Sequence, residues 1–137
     1  MGCLVATTTP TVTIAPSPSN PPKCNTETPY IAVPANITSP NYPNNFPPYA
    51  RCFYTLTTDT SHRINLTFGA IDTNKEDTIA VLDYHTDNVY YFLDIFSGQF
   101  PAGNKSFTST WYRMLVEFFS EGGAGRKGFS AVAVPIA

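Results

Sequence analysis

The sequence predicts an all-β domain, and three observations support this prediction. From Asn25 onward, short runs rich in Val, Ile, Thr, Tyr and Phe alternate with clusters of Gly, Pro, Asn and Asp, as strands and their turns do. No window of about a dozen residues carries the apolar repeat of about 3.6 residues that marks an amphipathic helix. Turn signals recur about every 8–12 residues, which is typical of a β-sandwich or a closed barrel.

Side-chain alternation places the individual strands. Residues 64–68 give the clearest case, because Ile64, Leu66 and Phe68 alternate with polar residues and would face one side of a sheet. The other runs are short β-prone segments between turns. The predicted strands are residues 51–58, 64–68, 78–84, 89–95, 105–108, 112–119 and 129–134.

Length and charge narrow the classes of function. The chain has 137 residues, of which 13% are charged, and a formal net charge of -2, so one domain with an ordinary core is expected. Nucleic acid is not an expected partner, because its binders need a concentrated basic face. Membrane insertion is not expected either, because no stretch approaches the ~20 apolar residues of a span. No Gly-x-Ser-x-Gly or His-Glu-x-x-His motif is present, so a non-catalytic protein is predicted.

The first 23 residues differ from the rest. Eleven of the 13 prolines fall in residues 1–48, and residues 6–22 are almost wholly Thr, Pro, Ser, Ala, Val and Ile. Such a composition gives no route to a packed core. We therefore interpret residues 1–23 as a Thr/Pro/Ser-rich linker or stalk, whose start fits a clipped signal peptide or the artificial start of a recombinant fragment. Residues 24–137 form the predicted domain.

Two independent signals indicate a secreted, extracellular protein. Asn36, Asn65 and Asn104 each begin an Asn-x-Ser/Thr sequon, and sequons in a secreted protein are sites of N-glycosylation. Cys24 and Cys52 bracket the first structured segment, and joining them would close a loop of 27 intervening residues. Such a disulfide would stabilise the fold by about 3–4 kcal/mol. The alternative interpretation is two buried free thiols in a reducing compartment.

Several motifs resemble those of the CUB domain family. Ser-Pro-Asn-Tyr-Pro at residues 39–43, followed by Phe-Pro at 46–47, is similar to the opening signature of that family. Asp-Thr-Ile-Ala-Val-Leu-Asp at 77–83 and Gly-Phe-Ser-Ala at 128–131 match later motifs in order. The resemblance implies a CUB-type, jelly-roll-like β-sandwich of two mostly antiparallel sheets in an extracellular protein.

Cysteine usage specifies the kind of CUB domain. Cys24 sits where the first cysteine of the family belongs, and Cys52 follows the opening signature. A second disulfide is common in the family, but Ser97 stands at one of its positions. The chain therefore resembles the two-cysteine variant that occurs beside C-type lectin domains in secreted proteins.

The resemblance also implies a calcium site, although no cofactor is required. Many CUB domains bind the ion through a Glu and two Asp residues assisted by a Tyr, and the ion orients acidic loops toward a Lys or Arg of a partner. Asp77 corresponds to the first Asp of that set, Glu121 to the second Asp, and Asn74 to the Glu. The alternative is that Asp77 and Glu121 are loop acids held by backbone amides.

Other residues bear on this calcium assignment. Asp72 or Glu76 could substitute for Asn74, whereas Phe46 replaces the assisting Tyr and brings no hydroxyl.

Two further segments lead to expectations about exposure. The glycine-rich residues 122–128 are predicted to form a flexible hairpin loop with a solvated basic pair, Arg126 and Lys127, at its tip. Five aromatic residues occur between residues 84 and 96. Most of them are expected in the core, with Tyr84 and Tyr90 the most exposed. They are Tyr84, Tyr90, Tyr91, Phe92 and Phe96.

The sequence thus predicts an extracellular, non-catalytic module that binds a protein or a carbohydrate, with calcium as an assisting ion. The alternative is a glycosylated spacer domain that binds no specific ligand. An exposed acidic or aromatic patch would favour binding, and glycans that shroud the loop ends would favour the spacer.

Overall fold

The computed structural model describes Cys24, residues 30–85 and residues 88–137. The stalk predicted for residues 1–23 lies outside the described residues. In the described part, no helix is long and apolar enough to cross a membrane. The strands are β1 (Ile31–Ala32), β2 (Ala35–Thr38), β3 (Arg51–Thr57), β4 (Arg63–Phe68), β5 (Ile71–Asp72), β6 (Thr78–Tyr84), β7 (Tyr90–Phe96), β8 (Gln99–Phe100), β9 (Ser106–Thr108), β10 (Arg113–Phe119) and β11 (Ser130–Ile136).

The strands form a sandwich of two sheets. One sheet has five strands in the order β1-β3-β10-β6-β7, and the other has four in the order β2-β11-β4-β9. Every pairing in them is antiparallel except the short parallel contact of β1 with β3. A small ribbon of β5 and β8 lies beside them. The predicted sandwich of mostly antiparallel sheets is confirmed.

The core lies between the facing sides of the two sheets. Met114, Val116 and Phe118 of β10 are fully buried, as are Ile64 and Leu66 of β4, so the alternation that predicted these strands also selects their inner faces. Aromatic rings fill the centre in edge-to-face contacts of the kind that π-systems prefer. The contacts are Phe118–Phe129, Tyr54–Phe129 and Phe68–Phe96, with ring centroids 5.5, 5.9 and 5.6 Å apart.

All seven predicted strands are present, whereas the hairpin predicted for residues 122–128 is wrong. That segment joins β10 to β11, and these two strands lie in different sheets. The loop therefore crosses from one layer of the sandwich to the other. Four strands of two to four residues were not predicted, namely β1, β2, β5 and β8.

A disulfide joins Cys24 to Cys52. The two Cα atoms are 5.7 Å apart, and the cysteines are separated by 28 positions in the chain. Cys52 lies in β3 and is fully buried, so the bridge fastens the start of the domain to a central part of the five-stranded sheet. This pairing excludes the alternative of two free thiols.

Replacing both Cys24 and Cys52 by alanine should lower the free energy of unfolding by about 3–4 kcal/mol, because the unfolded chain then loses its constraint. Urea denaturation of the oxidised protein and of the double variant measures the difference. Reduction of the wild-type protein serves as the control, since it should produce a similar loss. Equal unfolding midpoints for the oxidised and reduced proteins would contradict this account.

Candidate functional site

Three loops meet at one end of the sandwich. The segment before β3 contacts the loop after β10, because the amide of Phe46 donates to the carbonyl of Arg126 at 2.9 Å. The segment after β5 joins them, because Asn74 Nδ2 donates to the carbonyl of Ala124 at 2.7 Å. We call the polar residues there the Asp77 loop cluster. It consists of Asp72, Asn74, Asp77, Glu121 and Arg126.

Asp77 is the buried member of the cluster. Its side chain is nearly inaccessible to solvent, and both carboxylate oxygens accept backbone hydrogen bonds. The amide of Asn74 donates to Oδ2 at 2.9 Å, and the amide of Glu121 donates to Oδ1 at 2.9 Å. A buried carboxylate needs such charge-assisted bonds to offset its desolvation. Asp77 therefore ties two loops together.

Arg126 reaches across the loop to the residues that precede Asp77. Its Nε donates to Asn74 Oδ1 at 2.8 Å, and its Nη1 donates to Asp72 Oδ1 at 3.2 Å. Burial acts to raise the pKa of Asp72, but hydrogen bonds from Gln99 and Arg126 outweigh it and hold the pKa below its ordinary value. The expectation of a simply solvated basic pair is therefore wrong for Arg126.

Glu121 takes part in the cluster only through its backbone. Its side chain is about half exposed, and Oε2 lies 3.6 Å from Nη2 of Arg51. The same guanidinium donates to the carbonyls of Ala50 and Ser120 at 2.9 Å. The structure thus brings Asn74, Asp77 and Glu121 to one place, but it directs the Glu121 carboxylate to an arginine.

A cavity of about 350 Å³ opens beside the cluster and is lined by Asp72, Asn74, Arg126 and Lys127 among others. Sequence reasoning missed Arg126 as a member of this site. Two features of the sequence could have indicated its role. Asn74 stands at a position where the family carries a Glu, and a basic pair, Arg126 and Lys127, lies in the facing loop.

A second candidate site is the outer face of the five-stranded sheet. Directly opposed residues on neighbouring strands share a face, and the register places Phe92 beside Leu82 and Leu82 beside Leu115. The next row runs from Ile95 through Ala80 and Glu117 to Phe53. We call the apolar members of these two rows the outer apolar face. They are Phe53, Ala80, Leu82, Phe92, Ile95 and Leu115.

The most exposed members of this face are large. Phe92 is 61% exposed, Ile95 is 55% exposed and Phe53 is 52% exposed. Ala80 and Leu82, by contrast, are covered by their neighbours on the same face, with 2% and 6% exposure. The outer side of this sheet therefore exposes large apolar side chains on both sides of Glu117, which lies between Ala80 and Phe53 in the second row.

The exposure predicted for the aromatic residues between 84 and 96 is partly wrong. Tyr84 is buried, whereas Tyr91 and Phe92 are exposed. Rings of Tyr90, Trp111 and Tyr112 cover Tyr84, with centroids 5.3–6.1 Å away. The exposed rings lie on β7, which is the edge of its sheet and whose register to β6 shifts between Val81 and Leu82.

The outer face of the four-stranded sheet is mainly polar. Asn65 lies opposite Thr108, and Thr67 lies opposite Ser106, with 3.0 Å between their hydroxyl oxygens. Val132 and Val134 are the large apolar residues exposed there. The sequon asparagines belong to this side of the sandwich: Asn36 lies in β2, Asn65 in β4, and Asn104 is exposed just before β9.

Comparison with known proteins agrees with this architecture. A model of the CUB domain family matches residues 24–132. The chain belongs to the CUB domain family. This CUB domain is similar to Tolloid-like protein 1 of Homo sapiens, with 29% identity over 106 residues. That match covers 69% of this chain and 10% of the relative.

A homologue of bone morphogenetic protein 1 in Strongylocentrotus purpuratus is 30% identical over 101 residues, which cover 69% of this chain and 15% of that protein. The chain therefore spans only about a tenth to a seventh of the length of these relatives.

Solved structures show the same fold. The CUB1-EGF-CUB2 region of human MASP-1/3 superposes with a TM-score of 0.67 at 20% identity, over 78% of this chain and 41% of that one. The full extracellular region of zebrafish Gpr126/Adgrg6 gives a TM-score of 0.66 at 24% identity, over 79% of this chain and 14% of that one. The MASP-1 CUB2 domain, whose structure is of the calcium-bound form, gives 0.55 at 19% identity over 72% of this chain and 89% of that one.

The arrangement of the Asp77 loop cluster does not fit a calcium ion. Calcium takes about six to eight oxygen ligands, several of them carboxylates. Here both oxygens of Asp77 accept backbone amides, and Oδ1 of Asn74 accepts a guanidinium. Phe46 packs its ring against Phe118 at 5.1 Å and supplies no oxygen. The described residues contain no group of three His, Cys, Asp or Glu side chains placed to hold a metal.

Asp77→Asn should destabilise the domain by about 1–3 kcal/mol, because an amide nitrogen facing a buried backbone donor leaves that donor unsatisfied. The exposed neighbour Glu76 supplies the matched control, and Glu76→Gln should change stability by less than about 0.5 kcal/mol. Denaturant unfolding in EDTA and in millimolar calcium should give the same difference. A loss seen only in calcium would instead make Asp77 a metal ligand.

Proposed function

We propose that this CUB domain is a secreted, non-catalytic module that binds a protein partner through its outer apolar face. The observation that carries the proposal is that Phe92, Ile95 and Phe53, which lie in two adjacent rows of the same sheet face, are each more than half exposed. One face of an antiparallel sheet normally packs on the core while the other is polar and solvated. Contiguous apolar surface on a secreted domain marks an interaction site.

The size of the exposed side chains supports a protein contact. Covering Phe53, Phe92 and Ile95 would remove roughly 300 Å² of apolar surface from water. That burial contributes about 7 kcal/mol before the cost of association, which is itself about 4–15 kcal/mol. The face can therefore anchor a complex, and a partner must add contacts around it.

The charge of the surface favours an apolar partner over a carbohydrate. Asp94, the charged residue of β7, lies opposite the fully buried Val81, so it does not share the face of Phe92 and Ile95. Glu117 is the charged residue within the two rows. A carbohydrate site needs several hydrogen-bonding groups beside a ring, and the six side chains of the outer apolar face carry none. A partner with an apolar protein surface matches it better.

The positions of the sequons support binding over a spacer role. We propose that Asn36, Asn65 and Asn104 carry N-linked glycans, with residues 1–23 as a linker to the domain of residues 24–137. All three lie on the side of the four-stranded sheet, so their glycans would leave the outer apolar face uncovered. A spacer with no ligand would gain nothing from an exposed apolar sheet, which is an aggregation hazard.

A separate question is whether a calcium ion assists the proposed binding. The calcium-bound MASP-1 CUB2 neighbour supports it by analogy, and the hydrogen bonding of the Asp77 loop cluster argues against it. The outer apolar face contacts no member of that cluster through the pairings described, so the proposed binding needs no ion.

Phe92→Ser combined with Ile95→Ser should weaken protein binding at least about tenfold, because two apolar anchors are lost. The experiment screens the secreted wild-type domain against an array of purified extracellular proteins and a glycan array. Titration by surface plasmon resonance then compares the variants for each protein that binds.

The matched control is Val132→Ser combined with Val134→Ser on the opposite sheet, which should leave affinity within about twofold. Removing the glycans enzymatically should also leave it unchanged. Binding to glycans alone, or loss of binding only in the control variant, would contradict the proposal. Sedimentation of the wild-type domain as a dimer that the Phe92 and Ile95 changes abolish would make a second copy the partner. Binding to no protein would favour the spacer.

A further inference from the structure

We infer that Arg126 is a built-in cation of the Asp77 loop cluster and stands where the family resemblance places calcium. The inference is independent of the outer apolar face and of the function proposed for it. It rests on the two residues that Arg126 contacts. The resemblance places Asn74 at the position of a calcium-binding Glu, and Asp72 is one of the two residues that could substitute for it. The guanidinium nitrogens lie 2.8 and 3.2 Å from their side-chain oxygens.

The backbone around Arg126 is fixed on both sides. The carbonyl of Arg126 accepts from the amide of Phe46 at 2.9 Å. Two residues later, Gly128 exchanges hydrogen bonds with Asp72 in both directions, at 2.8 and 2.9 Å. The side chain therefore starts from an anchored position directly beside its acceptor, which lowers the entropy lost when the ion pair forms.

Glycines make this close approach of the loop feasible. A Cβ atom on Gly125 would collide with the carbonyl oxygen of Phe46. Gly128 has a φ of +85°, a conformation that other residues rarely adopt. The glycine-rich segment is thus shaped to lay Arg126 against the loop of Asp72 and Asn74, and it is not a flexible hairpin.

Every acidic side chain of the cluster already has a partner. Asp72 faces Arg126, Asp77 accepts two amides, and Glu121 lies 3.6 Å from Arg51. A calcium ion at this place would have to displace the Arg126 guanidinium, which repels it, from Asn74 and Asp72. The loops are consequently ordered by the chain itself.

This arrangement alters what the end of the sandwich can recognise. A calcium-bound end of the kind implied by the resemblance presents acidic loops to a basic side chain of a partner. Here Asp72 is neutralised, and Arg126 and Lys127 line the adjacent cavity. Asp72 is therefore not available to accept a Lys or Arg of a partner.

The test is a set of thermal melts of the secreted domain in EDTA and in 10 mM calcium chloride, a concentration about 100 times a dissociation constant near 0.1 mM. The wild-type midpoint should not change with calcium. Arg126→Gln should lower the midpoint by about 3–6 °C in both buffers, because Asn74 and Asp72 lose their shared donor. The matched control is Lys127→Gln, its exposed neighbour, which should melt within about 1 °C of wild type.

A double-mutant cycle with Asp72→Asn keeps the inference testable if one variant is poorly folded. Arg126→Gln and Asp72→Asn should lower the midpoint by less in combination than the sum of the two single changes, because both remove the same contact. A calcium-dependent rise of the wild-type midpoint by several degrees would overturn the inference. Additive losses in the cycle, or an Arg126→Gln midpoint equal to wild type, would overturn it as well.

Discussion

Strand β10 is the element on which both the core and the proposed binding surface depend. It pairs with β3 along seven residues and with β6 along six, so it occupies the middle of the five-stranded sheet. Its successive side chains point to opposite faces of the sheet. Met114, Val116 and Phe118 are fully buried between the sheets, while Leu115 faces outward. Because the side-chain period of a strand is two, a shift of one residue would exchange these faces. The register of β10 therefore fixes the core and the outer apolar face together.

The limits of sequence-based prediction follow from the same strand. Residues 112–119 are apolar at nearly every position, so alternation indicates a strand but does not say which side is inner. The distinction depends on pairing partners far away in the chain, such as Phe53 and Ala80. Tyr84 illustrates the consequence, because its burial comes from Trp111 and Tyr112, which no local pattern links to it. Seven of the eleven described strands could be predicted, whereas the side on which each faces the core and the sheet to which β11 belongs could not.

The loop cluster shows a similar division. The family resemblance predicted that Asn74, Asp77 and Glu121 lie close together, because these residues are next to strands whose order is fixed by the fold. It did not indicate how each oxygen is used. Asn74 and Arg126 are 52 positions apart in the sequence, and their contact depends on Gly125 and on Phe46 allowing a close approach. Whether a carboxylate binds a metal or a backbone amide is decided by such geometry, which composition does not encode.

The surface of the domain divides into three regions with different chemistry. The proposed glycans occupy the four-stranded side, and the loop end is internally neutralised by Arg126 and Arg51. The remaining large surface is the outer side of the five-stranded sheet, where Phe92 and Ile95 stand exposed beside the nearly buried Leu82. Binding through this sheet face would be driven by the burial of apolar surface, which requires no ion. It is therefore compatible with loops that are ordered without calcium. In the proposed function, this CUB domain therefore recognises its partner through the sheet face and not through the loops.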